Sequence, residues 1–157
     1  IAEMQAAGDW ASAGAAMANS ARRLESGGAS CIVLATNTMH KLADQITQAT
    51  NLPFLHLADV TAKAIRKTQS RRPLLLATRF TMEQRFYRDR LAAFGVEALV
   101  PDETERGEVH RIIYEELCRG RIEPGSKARY REIVDRVVRE EGADGVILGC
   151  TEITLLL

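Results

Sequence analysis

Nowhere does the chain stay apolar for long. Apolar runs such as Cys31 to Ala35, Leu74 to Ala77 and Gly145 to Gly149 fall far short of the roughly 18 residues a membrane span needs, and no membrane partner is expected. No basic segment leads into an apolar one at the start, so no signal peptide is expected either. An excess of charge is missing too. The 21 Lys plus Arg balance the 21 Asp plus Glu, which leaves no electrostatic footprint for a nucleic acid. Cysteine is scarce. Three at irregular spacing, with no CxxC, suit a reducing cytosol better than a disulfide scaffold, and a cytoplasmic location is expected. Neither HExxH nor a Cys/His metal spacing occurs, and GxGxxG and P-loop motifs are absent, so metal and nucleotide sites have no motif behind them.

What is present is core-forming material in an alternating pattern. The 157 residues are 46% hydrophobic, enough for one ordinary domain or two small ones. Asp9 caps a predicted helix with Trp10, Ala13, Met17, Ala21 and Leu24 on its apolar positions, closed by Gly27-Gly28. Cys31 to Leu34 is too short for a helix and reads as a buried strand, which makes Cys31 an inert core residue. Leu42, Ala43 and Ile46 share a helical face after Thr38. Phe54 to Leu57 reads as a strand, and Asp59 to Lys67 as a helix. Leu74 to Ala77 is the next buried strand; Thr81 with Gln84 resembles a capping box, opening a helix that Gly95 ends. Val96 to Val100 and Val146 to Leu148 read as strands. Between them lie two helical faces, one of Val109, Ile112, Ile113 and Leu117, the other of Tyr130, Ile133, Val134, Val137 and Val138. Strands separated by helices predict an α/β fold with parallel sheets. The charge-rich stretch from Arg66 to Arg72 reads as a hinge, which sets the expected domains at 1–65 and 66–157. Ile1 in place of a Met, and the apolar ending Leu155-Leu156-Leu157, suggest a chain cut at both ends.

A gapless internal repeat points to a site. Residues 28–38 align with 142–152, setting Thr36, Asn37 and Thr38 against Cys150, Thr151 and Glu152 at a separation of 150 − 36 = 114 residues. Both segments end in small polar residues just past a strand, where open α/β sheets bind ligands. Taken singly, each reads as the polar cap of a generic α/β protein; together and in register they favour a site. Among the thiols, Cys150 is the one placed for chemistry. A thiol at a strand end beside helical N–H groups is expected to have a lowered pKa and to serve as base or nucleophile. Cys118, near a helix end among charged residues, reads as structural, and His110 falls on a helix of mainly surface character.

Ala35-Thr36-Asn37-Thr38-Met39-His40-Lys41 and Gly149-Cys150-Thr151-Glu152-Ile153 resemble the paired strand-end motifs of the cofactor-independent aspartate/glutamate racemase family, in the branch acting on L-aspartate and L-glutamate. Pro53 to Asp59 and Ala77 to Glu83 also resemble family segments. The resemblance implies two pseudo-symmetric α/β domains facing each other across a cleft, a small acidic amino acid as substrate, a homodimer, and catalysis with neither pyridoxal phosphate nor metal. In most members a Cys from each domain flanks the substrate α-carbon. Carried over by position, Cys150 matches the second-domain catalytic Cys; Asn37, Thr38 and Thr151, with Thr78 added, match substrate-holding positions. The first-domain Cys is replaced by Thr36. A Thr hydroxyl is too weak an acid to rest as a base at neutral pH, so one-sided catalysis is expected, with D-substrates poorly used. The resemblance sets His40 and His56 at the border of the cleft, where each reads equally as tuning a thiol or as packing. Related Cys-dependent chemistries (hydantoin racemase, maleate isomerase, arylmalonate decarboxylase) and a catalytically weakened binding protein are the alternatives.

Overall fold

The computed structural model describes residues 1–157, apart from the side chain of Ala2. The chain divides into two compact units, Ile1–Leu57 and Ala58–Leu157.

The first unit opens with α1 (Ala2–Ala6) and α2 (Trp10–Ser26). Asp9 starts α2 by accepting from the Ser12 amide at 3.0 Å, and Gly27 ends it, as the sequence pattern predicts. β1 (Ile32–Val33) then leads through a 3-10 turn, Thr38–Leu42, into α3 (Ala43–Gln48), and β2 is Phe54–Leu55. β1 and β2 pair in parallel, Ile32 with Phe54 and Val33 with Leu55. The core is small. Ala13, Met39 and Leu42 form one cluster; Ala21, Ile32 and Ile46 form another, bridged by Met17 and Leu34. Cys31 is exposed, not buried as its apolar run suggests. Only two residues of that run enter the strand, and their side chains alternate, Ile32 inward and Val33 outward.

The second unit runs α4 (Leu57–Ile65), β3 (Leu74–Leu76), α5 (Arg79–Glu83), α6 (Arg85–Ala92), α7 (Glu103–Glu115), a 3-10 turn at Leu117–Arg119, α8 (Pro124–Glu141), β4 (Val146–Leu148) and a 3-10 turn at Thr151–Leu155. All three residues of β3 are inaccessible to solvent, and β3 pairs in parallel with β4, Leu74 with Val146 and Leu76 with Leu148. Around this pair pack Val109, Ile112 and Ile113 of α7, and Tyr130, Ile133 and Val137 of α8. Ala58 and Ala62 of α4 belong to the same core, which is why this helix groups with the second unit. The expected strand Val96–Val100 is reduced to a single parallel bridge, Leu74 with Leu99, although Leu99 still exchanges backbone bonds with Pro73 and Leu75.

The predicted capping box at Thr81 is not formed. Thr81 lies inside α5, buried, with its hydroxyl 3.4 Å from that of Thr78; the break comes at Gln84, whose extended backbone (φ −84°, ψ 145°) separates α5 from α6. A true capping box begins α7, where the Asp102 side chain accepts from the Glu105 amide and Glu105 returns the bond. Buried Glu105 also receives the Arg136 guanidinium, clipping α7 to α8. The charged stretch Arg66–Arg72 ends in a clamp. Asp144, just before β4, accepts from the Ser70 hydroxyl and the amides of Arg71 and Arg72.

Candidate functional site

The internal repeat is realised in space. α2 and α8 each end at a glycine, β1 and β4 follow, and each strand runs into a 3-10 turn that begins within the aligned polar triplet, at Thr38 in the first and at Thr151 in the second. Thr36–Asn37–Thr38 belong to the first unit, Cys150–Thr151–Glu152 to the second.

In the second unit, parallel register brings two of the candidates to one edge. Leu76 pairs with Leu148, so Thr78 and Cys150 each lie two residues past a paired position, at the carboxyl ends of neighbouring strands. Gly149 makes this approach possible. A Cβ there would come within 2.9 Å of the Ala77 Cβ and 3.2 Å of the Leu76 carbonyl oxygen. The Gly149 amide donates to that carbonyl at 2.7 Å, so the strand is still anchored one residue before the cysteine.

Cys150 is half-buried, and its thiol donates to Glu152 Oε2 at 2.8 Å. The same carboxylate oxygen accepts from the Thr151 hydroxyl at 3.0 Å. Burial, followed by the hydrogen bond to Glu152 and its charge, pushes the Cys150 thiol up to about 12. This reverses the lowered value expected from the strand-end position: burial, reinforced by a carboxylate two residues on, outweighs the backbone N–H groups. Glu152 itself is held below the usual carboxylate range, first by the Cys150 hydrogen bond. Cys118 is exposed and joins this electrostatic neighbourhood, its thiol pushed up by partial burial and by the Glu152 charge. Tyr130 is fully buried, raised by burial and by Cys150, and its hydroxyl donates to the Val109 carbonyl at 3.2 Å. The sequence pattern places Glu152 in the polar triplet but assigns it no role; the signal for one was a carboxylate two positions after a cysteine within one turn. His110 is more than a surface residue. Its Nδ1 accepts from the Arg79 amide at 3.3 Å, its ring lies 4.6 Å from Tyr114, and burial lowers its pKa.

In the first unit Thr36 is exposed, Asn37 half-buried and Thr38 buried at the start of its turn. The Thr36 carbonyl lies 2.7 Å from His40 Nδ1, and the ring of His40 stacks against His56 at 4.3 Å. Among the described residues no cluster of three or more His, Cys, Asp or Glu is arranged to hold a metal ion, and no helix is long and apolar enough to cross a membrane.

Parallel strands alternating with helices in each unit make this an α/β protein, with a carboxylate-bonded thiol at a strand end of the second unit. The family described as Asp/Glu/Hydantoin racemase matches residues 1–157, and the chain belongs to it. A crystal structure of an inferred Asp/Glu racemase from Yersinia pestis is 49% identical, with a TM-score of 0.91 over 100% of this chain and 68% of that one. PH1733, an aspartate racemase homologue from Pyrococcus horikoshii OT3, is 38% identical with a TM-score of 0.80, over 89% of this chain and 61% of that one. The broad specificity amino-acid racemase RacX of Bacillus subtilis (strain 168) is 26% identical over 90% of this chain and 60% of its own length. The chain thus spans about two thirds or less of these three proteins.

Proposed function

We propose that the protein racemises acidic amino acids, L-aspartate and L-glutamate, by removing the α-proton without a cofactor. The observation that carries this reading is the Cys150 thiol, set at a strand end with a carboxylate acceptor 2.8 Å away, in a chain of the racemase family. Cys150 is the base and Glu152 the group that takes the thiol proton, leaving a thiolate free to attack the substrate α-proton. The α-ammonium of a bound amino acid adds a positive charge that favours the thiolate. Thr36 stands where most members of the family carry a second thiol and relays a proton from water to the carbanion. Asn37, Thr38, Thr151 and Thr78 supply donors for the substrate carboxylates. A homodimer accompanies this reading.

L- and D-enantiomers have equal free energy, so kcat/KM for net inversion is the same from either side. The one-sidedness set by Thr36 therefore appears in proton exchange. Cys150 washes the α-proton of the L-form into solvent many times for each inversion. The test is NMR of L-Asp, L-Glu and both D-forms in D₂O, with Cys150→Ser run in parallel. Exchange concentrated on L-substrates and abolished by the variant supports the reading. Exchange equal on both enantiomers refutes the asymmetry. No exchange from a folded protein leaves the hydantoin, maleate or arylmalonate chemistries, or binding without turnover, as the function.

A further inference from the structure

His40 is almost fully buried, 2% exposed, and both of its ring nitrogens are engaged. The Leu57 amide, which can only donate, points at Nε2 from 3.1 Å. Nε2 must therefore carry the lone pair. A neutral imidazole has one protonated nitrogen, so the proton sits on Nδ1, which donates to the Thr36 carbonyl at 2.7 Å. The opposite tautomer sets two donors against each other at Nε2 and two acceptors at Nδ1.

This bond reaches a segment that the sheet does not hold. Pairing between β1 and β2 stops at Val33 with Leu55, three residues before Thr36 and two before Leu57. His40 spans both free strand ends from within the 3-10 turn, with Phe54 and His56 as ring neighbours at 5.8 and 4.3 Å. Holding the Thr36 carbonyl fixes the plane of the Thr36–Asn37 peptide, and with it the direction in which the exposed Thr36 side chain leaves the backbone.

We propose that His40 is a positioning residue: as the Nδ1-protonated neutral tautomer it ties the Thr36 carbonyl to the Leu57 amide and so aims Thr36. Its consequence for turnover rests on the racemase reading above; the clamp itself does not. The tautomer is read directly from the ¹⁵N imidazole resonances of His40 in the unmodified protein. A protonated Nδ1 with a bare Nε2 is expected, and the reverse pattern overturns the proposal whatever the activity.

The functional arm compares two variants. His40→Asn places an amide N–H near the Nδ1 position and keeps the bond to Thr36, whereas His40→Gln reaches the Nε2 position and loses it. In D₂O with L-aspartate, His40→Gln is expected to lower inversion per exchange event on the order of tenfold to a hundredfold, the scale of an ångström-sized misplacement. His40→Asn restores the ratio. A purely structural role lowers exchange and inversion together and leaves their ratio unmoved, and that result refutes the positioning role. Absence of exchange in the parent protein would sink the racemase reading, and the clamp would then be judged on the resonances alone.

Discussion

Replacing Glu152 by Gln separates the resting state of Cys150 from its activated state. With its thiol near 12, roughly one Cys150 in 10⁵ is ionised at pH 7, against about 3% of a free thiol. Burial is the largest cause and persists in the variant; the bond to Glu152 and its negative charge do not. Losing them brings the pKa down while leaving it above the ordinary value, and each unit is worth about a tenfold gain in thiolate. Alkylation of Cys150 by iodoacetamide at pH 7 to 8 should therefore speed up about tenfold in Glu152→Gln. The reaction is followed on the Cys150 peptide by mass spectrometry, because Cys31 and Cys118 are also accessible. If Glu152 takes the thiol proton during turnover, exchange of L-aspartate falls in the same variant. Reactivity up and exchange down is the signature. Alkylation at or below the parent rate would refute the placement of the thiol proton against Glu152, and an undiminished exchange rate would refute its role as acceptor.

Thr36→Cys should raise inversion per exchange event several-fold, since a thiol supplies the acid that the hydroxyl lacks; chiral chromatography beside the D₂O assay reads this. Gly149→Ala should cost about 1–3 kcal/mol in urea denaturation, as its Cβ overlaps Ala77 and the Leu76 carbonyl, and should also slow exchange by shifting Cys150. The Glu116 carboxyl is held below its ordinary value of 4.5 by the Ser126 hydroxyl and the Arg111 guanidinium. A lowered folded-state value contributes stability above the unfolded pKa and loses it as pH falls through the folded one. Ser126→Ala should therefore lower Tm at pH 7 and narrow the gap to the parent as pH drops below about 4.

Periodicity and terminators made most helices legible: Asp9 and Gly27 bracket α2 where the sequence puts them, and the face of Tyr130, Ile133 and Val137 is buried in α8. The parallel strands were visible as short apolar runs, and the 114-residue repeat located both strand ends. What stayed hidden depended on partners distant in sequence. Thr81 resembles a cap until the fold buries it against Thr78. Val96–Val100 has strand composition, but only Leu99 finds a ladder position beside Leu74. The direction of the Cys150 shift is set first by burial and then by the Glu152 carboxylate, and neither the packing around the thiol nor the Glu152 rotamer is specified by a spacing rule.

Parallel pairing also orders the events of folding. β1 meets β2 across a loop from residue 32 to 54, whereas β3 meets β4 across one from 74 to 146. Closing the longer loop costs about 1 kcal/mol more chain entropy, and the gain comes only when β4 docks, beyond the four helices α5 to α8. Thr78 and Cys150 are therefore apart until that closure, and an incompletely folded chain presents Cys150 without the burial that raises its thiol. The thiol is then a clock. Pulsed alkylation during refolding should label Cys150 early and cease at the moment the second unit locks.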